Sequence, residues 1–315
     1  MARFLLLIMV TMQQTLKKAI KFSGVGLHTG CNINVRISPA GTGYGITFVR
    51  TDVPGAPEIK AEGANVVDTN YATTLGKNGV SVSTVEHLLA AFYGLGVDNA
   101  TVELSGPEVP ILDGSAEKFI GMIESAGIRD LPAPRKCLVI KRPIKVSDGD
   151  KYVLVLPSRA MGFTIDYSID FSHPFLTKQT YSSLFSREVF KKEVGSARTF
   201  GFLRDVEMLR ANGLAKGGSL SNAVVVGETA VLNVEGLRYP DEFVRHKVLD
   251  LMGDLSLVGA PVMGHLVAHM SGHALNHRLI QEILRRPSRC ELTDSVLKVN
   301  FRKTADTFLR KAAML

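Results

Sequence analysis

The chain has 315 residues, with 37 Lys and Arg against 30 Asp and Glu, 45% hydrophobic residues and no Trp. At roughly 100 to 200 residues per domain, this length predicts two domains with cores of their own. The ordinary charge, Gly and Pro contents exclude disordered, collagen-like and disulfide-scaffold proteins. The three cysteines are far apart and form no Cys-x-x-Cys pair, which argues against disulfides and a thiolate zinc site and favours a cytoplasmic location.

The formal charge of +7 is concentrated near the C-terminus. Segment 284–315 has eight basic and three acidic residues, a net of +5, which leaves +2 for the rest of the chain. Because no basic stripe is interleaved with aromatic residues, we expect no nucleic-acid partner.

The N-terminus carries an apolar run, Phe4 to Val10, behind a single Arg. A bilayer span needs about 20 apolar residues, so this run predicts no stable membrane span. A signal peptide is an alternative, but no small-residue cleavage site follows the run. We therefore expect residues 1–12 to be a dispensable extension, with Met12 as an alternative start.

The first half of the chain predicts short alternating strands separated by Gly, Asn and Pro turns. Residues 85–92 have helical spacing, which predicts a helix that Ser83 or Thr84 caps and that Gly94 and Gly96 end. A strand at 100–104 and a second helix at about 115–126 follow. The stretch 130–135 contains two prolines and predicts an interdomain linker.

The second half has the same order of elements. Strands are predicted within 137–169, then a long helix at 241–257, a strand at 264–270 and a helix at 274–284. This parallel suggests an internal duplication of one sheet-plus-two-helices unit. The predicted divisions are an extension at 1–12, domains at 13–130 and 136–284, an insert near 200–226 and a basic tail at 285–315.

A candidate metal site emerges from two helices. His246 and Asp250 are four residues apart, hence on one helical face, and His87 lies at the equivalent point of the first unit. Two histidines and a carboxylate with an open fourth position are typical of catalytic zinc. The alternative is a half-buried His87 beside Glu86 and a surface ion pair between His246 and Asp250.

Four further histidines also recur at a regular spacing, for which a single helix is the wrong interpretation. His265, His269, His273 and His277 also recur every four residues, as a row of imidazoles on a helix would. However, the residues after His265 predict a strand and then a turn at Ser271-Gly272. We therefore interpret His265, His269 and His277 as ordinary histidines.

These residues lie in five ordered motifs that closely resemble the family of UDP-3-O-acyl-N-acetylglucosamine deacetylases, the zinc amidases of lipid A biosynthesis. The resemblance extends from about Gln14 to Leu284. The motifs are Gly24–Gly30 (GVGLHTG), Ser83–His87 (STVEH), Arg198–Phe202 (RTFGF), Arg245–Asp250 (RHKVLD) and Ser271–Asn276 (SGHALN).

The resemblance implies an α+β fold of two similar domains, each a β-sheet with two helices, with the helices sandwiched between the sheets. It also implies a catalytic set. Glu86 matches the general base and His273 the general acid, with Asp254 as the partner of His273. Thr199 and Lys247 match residues that stabilise the oxyanion or hold the substrate. The matched zinc ligands are His87, His246 and Asp250.

Contacts with the substrate are implied in the same way. Phe171 matches an aromatic residue that stacks on uracil, although the alignment slips by two residues nearby, and Lys151 and His28 match positions near the nucleotide and diphosphate. The insert matches a subdomain that forms an acyl passage. Its expected contacts are Phe200, Leu203, Val206, Ala215, Leu220 and Val225.

We therefore expect a cytoplasmic, monomeric zinc hydrolase that removes acetate from a UDP-linked, 3-O-acylated N-acetylglucosamine. One alternative is a zinc amidohydrolase for another acyl-sugar, which would not need an apolar passage. A second is a non-enzymatic nucleic-acid or membrane-surface adaptor that uses the basic tail and needs no metal. Histidine and carboxylate ligands also accept several divalent metals.

Overall fold

The computed structural model describes residues 11–158 and 162–294. The apolar run 4–10 and segment 295–315 of the basic tail therefore lie outside the described residues. The described chain contains several β-sheets and α-helices, with long runs of strands between the helices, which confirms the α+β class. None of the helices in the described ranges is long and apolar enough to cross a membrane. The internal duplication and the domain boundaries stay predictions.

The first half builds a five-stranded sheet. Its strands, in spatial order, are β2 (Ile20–Val25), β3 (Asn32–Pro39), β9 (Ala100–Leu104), β4 (Ile46–Arg50) and β5 (Glu58–Lys60). All neighbours are antiparallel except β4 and β9. Three short strands form a separate antiparallel sheet: β6 (Val66–Asp68), β7 (Thr74–Lys77) and β8 (Val80–Val82).

The second half builds a seven-stranded sheet around one central strand, β18 (Val262–His269). Residues of β18 alternate between buried and half-buried positions, as expected for a strand with one face on the core. The other strands are β11 (Cys137–Ile140), β12 (Ile144–Asp148), β13 (Lys151–Leu156), β14 (Phe163–Ile169), β15 (Gln179–Leu184) and β19 (Cys290–Thr293).

Six α-helices lie in the described chain, and two of them, α1 and α5, pack along each other. The helices are α1 (Glu86–Leu95), α2 (Glu117–Ala126), α3 (Arg187–Val189), α4 (Leu203–Ala211), α5 (Glu242–Leu255) and α6 (His273–Arg285). Helix α5 also contacts α6 and β14, while α6 lies on β12 and β13. The predicted helix at 241–257 is thus confirmed as α5 with one 3₁₀ turn, Ser256–Val258, after it.

A glycine allows the close approach of α1 and α5. A Cβ added at Gly253 would lie 2.0 Å from the carbonyl oxygen of Glu86. The backbones therefore meet at the first turn of α1, where only a residue without a side chain fits. This contact brings the start of α1 against the last turn of α5.

The insert contains a two-stranded parallel ribbon and one helix. Strands β16 (Phe200–Phe202) and β17 (Val224–Val226) pair in parallel, and α4 follows β16 directly. No residue of α4 is fully buried. Backbone pairing therefore holds the two strands of the insert to each other, whereas α4 has no buried residue that would fix it.

The expected side-chain cap of α1 is wrong. The residue before the helix is Val85, without a side-chain cap, because Thr84 has φ +56° and directs its hydroxyl to Glu108. Gly94 lies inside the helix, and only Gly96, with φ +74°, ends it.

The expected linker at 130–135 is also wrong. This segment belongs to strand β10 (Ile128–Pro134), which pairs antiparallel with β1 (Met12–Leu16). A two-stranded ribbon leaves every second N–H outside the ladder, so it tolerates Pro132 and Pro134. The side chain of Leu131 is buried, which favours the strand over an exposed linker.

Residues near the start of the segment predicted as a basic tail belong to the second sheet. Helix α6 continues to Arg285, and after a 3₁₀ turn strand β19 pairs antiparallel with β11. The described part of the segment predicted as a tail, up to Asp294, thus includes an edge strand of the second sheet.

Candidate metal and acid–base site

The three predicted metal ligands come together between α1 and α5. Donor atoms of His87, His246 and Asp250 all lie within 4.8 Å of one another, and all three side chains are buried. Asp250 Oδ1 lies 3.2 Å from His246 Nε2 and 3.5 Å from His87 Nε2. The three residues that the sequence put forward as a metal site therefore lie close together in the structure.

The polar atoms of this cluster fit a cation. Asp250 Oδ1 is buried and makes no hydrogen bond to a described residue, although the imidazole rings of His87 and His246 lie beside it. His246 Nδ1 lies 3.0 Å from the carbonyl oxygen of Ala197, so Nδ1 carries the proton and Nε2 keeps a free lone pair. Burial lowers the pKa of His87, which favours the neutral ring that binds metals.

Asp250 is held in its charged form. Burial alone would raise its pKa, but His246 and Lys247 outweigh burial and keep the pKa well below its usual value. Lys247 Nζ donates a hydrogen bond of 2.6 Å to Asp250 Oδ2. Burial also opposes the charge of Lys247, but Asp250 raises the lysine pKa above its ordinary range. The carboxylate is therefore an anion throughout the physiological range.

The predicted base, Glu86, precedes the ligand His87 at the start of α1. Its carboxyl group is buried and accepts a 3.0 Å hydrogen bond from the backbone N–H of Thr73. Burial raises the pKa of Glu86 to about 7, against the opposing effect of His273. A carboxylate with this pKa accepts a proton at neutral pH more readily than an exposed one.

The predicted acid, His273, is the first residue of α6. Its Nδ1 lies 2.8 Å from Asp254 Oδ2, and its Nε2 lies 3.9 Å from Glu86 Oε1. Burial disfavours the charged ring, but Asp254 outweighs it and raises the pKa of His273 to about 9. Asn276 donates to the same Asp254 oxygen at 2.8 Å. His273 is therefore an imidazolium at neutral pH with Nε2 directed towards the base.

The segment with Thr199 passes beside the ligand His246. Ala197 accepts from the ring as described above, and the backbone of Thr199 is fixed by Gly114 and Val224, through N···O distances of 2.7 and 2.8 Å. The ring of Phe200 packs on Phe243, with centroids 4.9 Å apart. The backbone of Thr199 is thus fixed two residues after Ala197, whose carbonyl oxygen contacts the His246 ring.

A separate cavity collects three of the predicted substrate residues. Lys151, Phe171 and Lys247 line a space of about 310 Å³, together with residues of the turn before α6. Because Lys247 also binds Asp250, this cavity adjoins the metal cluster.

His28 lies in a tight loop that contacts the insert. Its carbonyl oxygen accepts from Lys216 N at 3.2 Å, next to the predicted contact Ala215. Both ring nitrogens of His28 are buried without a side-chain partner among the described residues, and burial lowers the pKa of the ring.

The remaining apolar residues of the insert do not form a closed lining. Leu203 is 49% exposed and Leu220 is 44% exposed, whereas Val206, Ala215 and Val225 are half-buried. The acyl passage therefore stays a prediction.

Several residues of the site were not found from the sequence. Thr73 contacts the base, the acid and the partner of the acid. Glu108 is buried and accepts hydrogen bonds from His28 N, Thr29 N and the Thr84 hydroxyl. Neither lies at a helical spacing from a predicted residue, so no periodic signal points to them.

A buried ion pair, also missed, holds the start of α5. Glu242 accepts from Arg198 Nε at 2.8 Å and from the backbone N–H groups of Arg198 and Arg238. Arg198 precedes Thr199, and Glu242 lies one helical turn before His246. The pair therefore ties the Thr199 segment to α5, which carries His246 and Asp250.

Comparison with known proteins places this geometry in a family. Residues 13–285 match the family model LpxC, described as UDP-3-O-acyl N-acetylglycosamine deacetylase. The chain is 52% identical over 280 residues to a UDP-3-O-acyl-N-acetylglucosamine deacetylase of Myxococcus xanthus, which covers 89% of this chain and 88% of that protein. A protein of the same name from Citrifermentans bemidjiense is 52% identical, over 87% of this chain and 90% of its own length. A third, from a Shewanella species, is 46% identical, over 93% of this chain and 94% of its own length. The protein with this buried His-His-Asp cluster therefore belongs to the LpxC family of deacetylases.

Proposed function

We propose that this protein hydrolyses the N-acetyl group of a UDP-3-O-acyl-N-acetylglucosamine, giving the free amine and acetate, in lipid A biosynthesis. The observation that carries the proposal is the buried cluster His87, His246 and Asp250, with a base and an acid directly beside it. Membership of the deacetylase family supports the same reaction.

Zinc is the proposed cofactor, held by the two Nε2 atoms and Asp250 Oδ1. When bound, zinc polarises the acetyl carbonyl and lowers the pKa of a water molecule towards about 7. The donor set supports this metal, because two neutral imidazoles and one carboxylate leave a position for water and substrate.

The protein groups then move the protons. Glu86 accepts the proton of the attacking water, for which its raised pKa suits it. The Thr199 hydroxyl donates to the oxygen on which negative charge develops, and Lys247 supplies positive charge nearby. His273, kept protonated by Asp254, gives its proton to the departing glucosamine nitrogen. Without that proton the amine would be a very poor leaving group.

Substrate binding is proposed on both sides of this centre. The cavity of Lys151 and Phe171 suits a uridine nucleotide, because a ring can stack on Phe171 while the lysine meets a phosphate. His28 is proposed to lie near the diphosphate, because its buried ring has no side-chain hydrogen-bond partner among the described residues. The 3-O-acyl chain lies along the insert, on Phe200, Leu203, Val206, Ala215, Leu220 and Val225.

We further propose that the protein acts as a monomer in the cytoplasm. All three cysteines are free, and Cys31 is exposed, which suits a reducing compartment. The proposed partner is the small UDP-linked substrate alone.

The test combines a metal assay with acetate release. The purified protein should contain zinc and release acetate from the UDP-linked 3-O-acyl sugar, and a chelator should abolish the reaction until zinc is restored. UDP-N-acetylglucosamine without the acyl chain should react far more slowly, because chain anchoring also orients the acetamide. Equal rates on both sugars would favour a zinc amidohydrolase for another substrate.

A further inference from the structure

Thr73 lies just before β7 and has three polar contacts in the site. Its N–H donates to Glu86 Oε2 at 3.0 Å, and its hydroxyl donates to Asp254 Oδ1 at 2.5 Å. The hydroxyl oxygen also lies 3.3 Å from His273 Nδ1. One residue, 2% exposed, thus touches the base, the acid and the partner of the acid.

The hydroxyl of Thr73 completes the contacts of Asp254. Asp254 Oδ2 accepts from His273 and Asn276, both at 2.8 Å, so Oδ1 depends on Thr73. A buried carboxylate oxygen that loses its donor is costly to leave unsatisfied, and the carboxylate would rotate or shift to recover a partner. Such a shift would move the ring of His273, which the same carboxylate holds.

The backbone of Thr73 holds the other group of the site, the proposed base Glu86. Its N–H holds the Glu86 carboxylate, while its carbonyl oxygen accepts from Val85 N at 3.4 Å, just before α1 begins. Glu86 Oε1 and His273 Nε2 are thereby kept 3.9 Å apart. In the proposed reaction Glu86 activates the water that attacks the carbonyl carbon, and His273 protonates the nitrogen of the same amide bond. A misplacement of about 1 Å can lower turnover by about 100-fold.

We infer that Thr73 is a positioning residue, which sets the relative placement of the base Glu86 and the acid pair His273–Asp254. The inference rests on the roles proposed above for Glu86 and His273. Thr73 acts through these groups and does not itself transfer a proton.

The test is Thr73→Val, which keeps the shape of the side chain and removes the hydroxyl. We expect kcat to fall about tenfold or more, the scale of one lost buried hydrogen bond to a charged group, with KM and zinc content little changed. Thr73→Ser should restore most of kcat, because it returns the donor. The matched control is Thr74→Val. Among the described residues the Thr74 hydroxyl bonds only to Ser83, so its loss should leave kcat unchanged.

A double variant separates positioning from a purely structural role. In the His273→Ala background the acid is already absent, so Thr73→Val should lower kcat much less than it does in the wild type. An equal fall in both backgrounds would overturn the inference, as would a wild-type kcat for Thr73→Val. If Thr73→Val does not fold, Thr73→Ser tests the inference instead, because Ser keeps the hydroxyl and should keep most of kcat. A large loss of kcat in Thr73→Ser would contradict the inference. A His273→Ala variant with normal turnover would instead refute the proposed acid.

Discussion

Replacing Gly253 by Ala should disturb both the stability and the metal site, because this glycine lies where α1 meets α5. The added Cβ would lie 2.0 Å from the carbonyl oxygen of Glu86 and 2.7 Å from its carbonyl carbon, whereas ordinary contact begins at 3.4 Å. Both sides of the clash are helix backbone, which cannot rotate away as a side chain can. The two helices must therefore separate by more than about 1 Å.

The magnitude follows from two opposing effects. Overpacking against rigid backbone costs about 3 kcal/mol, the upper end of the usual range. Ala in place of Gly within a helix returns about 1 kcal/mol. We expect a net loss of about 2 kcal/mol in the free energy of unfolding, which lowers Tm by about 4 to 8 °C. Separation of the helices also moves His87 away from His246, so zinc affinity should fall.

The assay is thermal unfolding of the metal-free variant, followed by a zinc titration. Gly121→Ala is the control, because Gly121 also lies in a helix but a Cβ there meets nothing within 4 Å. The control should gain about 1 kcal/mol and bind zinc normally. If Gly253→Ala matched this control in Tm and zinc affinity, the assigned role of the helix contact would be refuted.

Three further predictions concern the site. His246→Ala should lose most of its zinc in elemental analysis, since two ligands chelate poorly, and full retention would contradict the assigned ligands. In kcat/KM against pH, the alkaline limb should reflect His273: the protonated acid is present below a pKa of about 9 and is lost as pH rises through it. Asp254→Asn removes the charge that raises this pKa, so the limb should move to lower pH, and an unmoved limb would argue against the pair. Leu220→Phe should shorten the preferred acyl chain without loss of zinc, because each buried methylene contributes about 0.8 kcal/mol; unchanged chain preference would place the acyl chain elsewhere.

The proximity of His246 and Asp250 could be predicted because it follows helical periodicity. His246 and Asp250 share a face of α5, and the order of elements around His87 suggested a partner helix. The sequence did not reveal how closely the helices approach. That distance depends on Gly253, whose missing side chain gives no local signal of what it faces.

Other errors arose where long-range pairing overrides local signals. The prolines of 130–135 indicate a linker by composition, yet pairing with β1, far away in sequence, makes the segment a strand. Thr84 is a good helix cap by residue type, but the buried acceptor Glu108 takes its hydroxyl. Thr73 likewise has a role only because α1, α5 and α6 converge on it.

The two buried carboxylates of the site show how the neighbours of a group, rather than its burial, determine its chemistry. Burial raises the pKa of both Glu86 and Asp250. At Asp250 the adjacent His246 ring and the Lys247 cation reverse the effect, and the carboxylate stays an anion. At Glu86 the charge of His273 and a backbone hydrogen bond oppose burial without reversing it, while two acidic neighbours act in the same direction as burial. The pKa of Glu86 therefore remains near neutral pH. A bound dication would favour the ionised form of Glu86. We therefore expect metal binding and the ionisation of Glu86 to be coupled through charge.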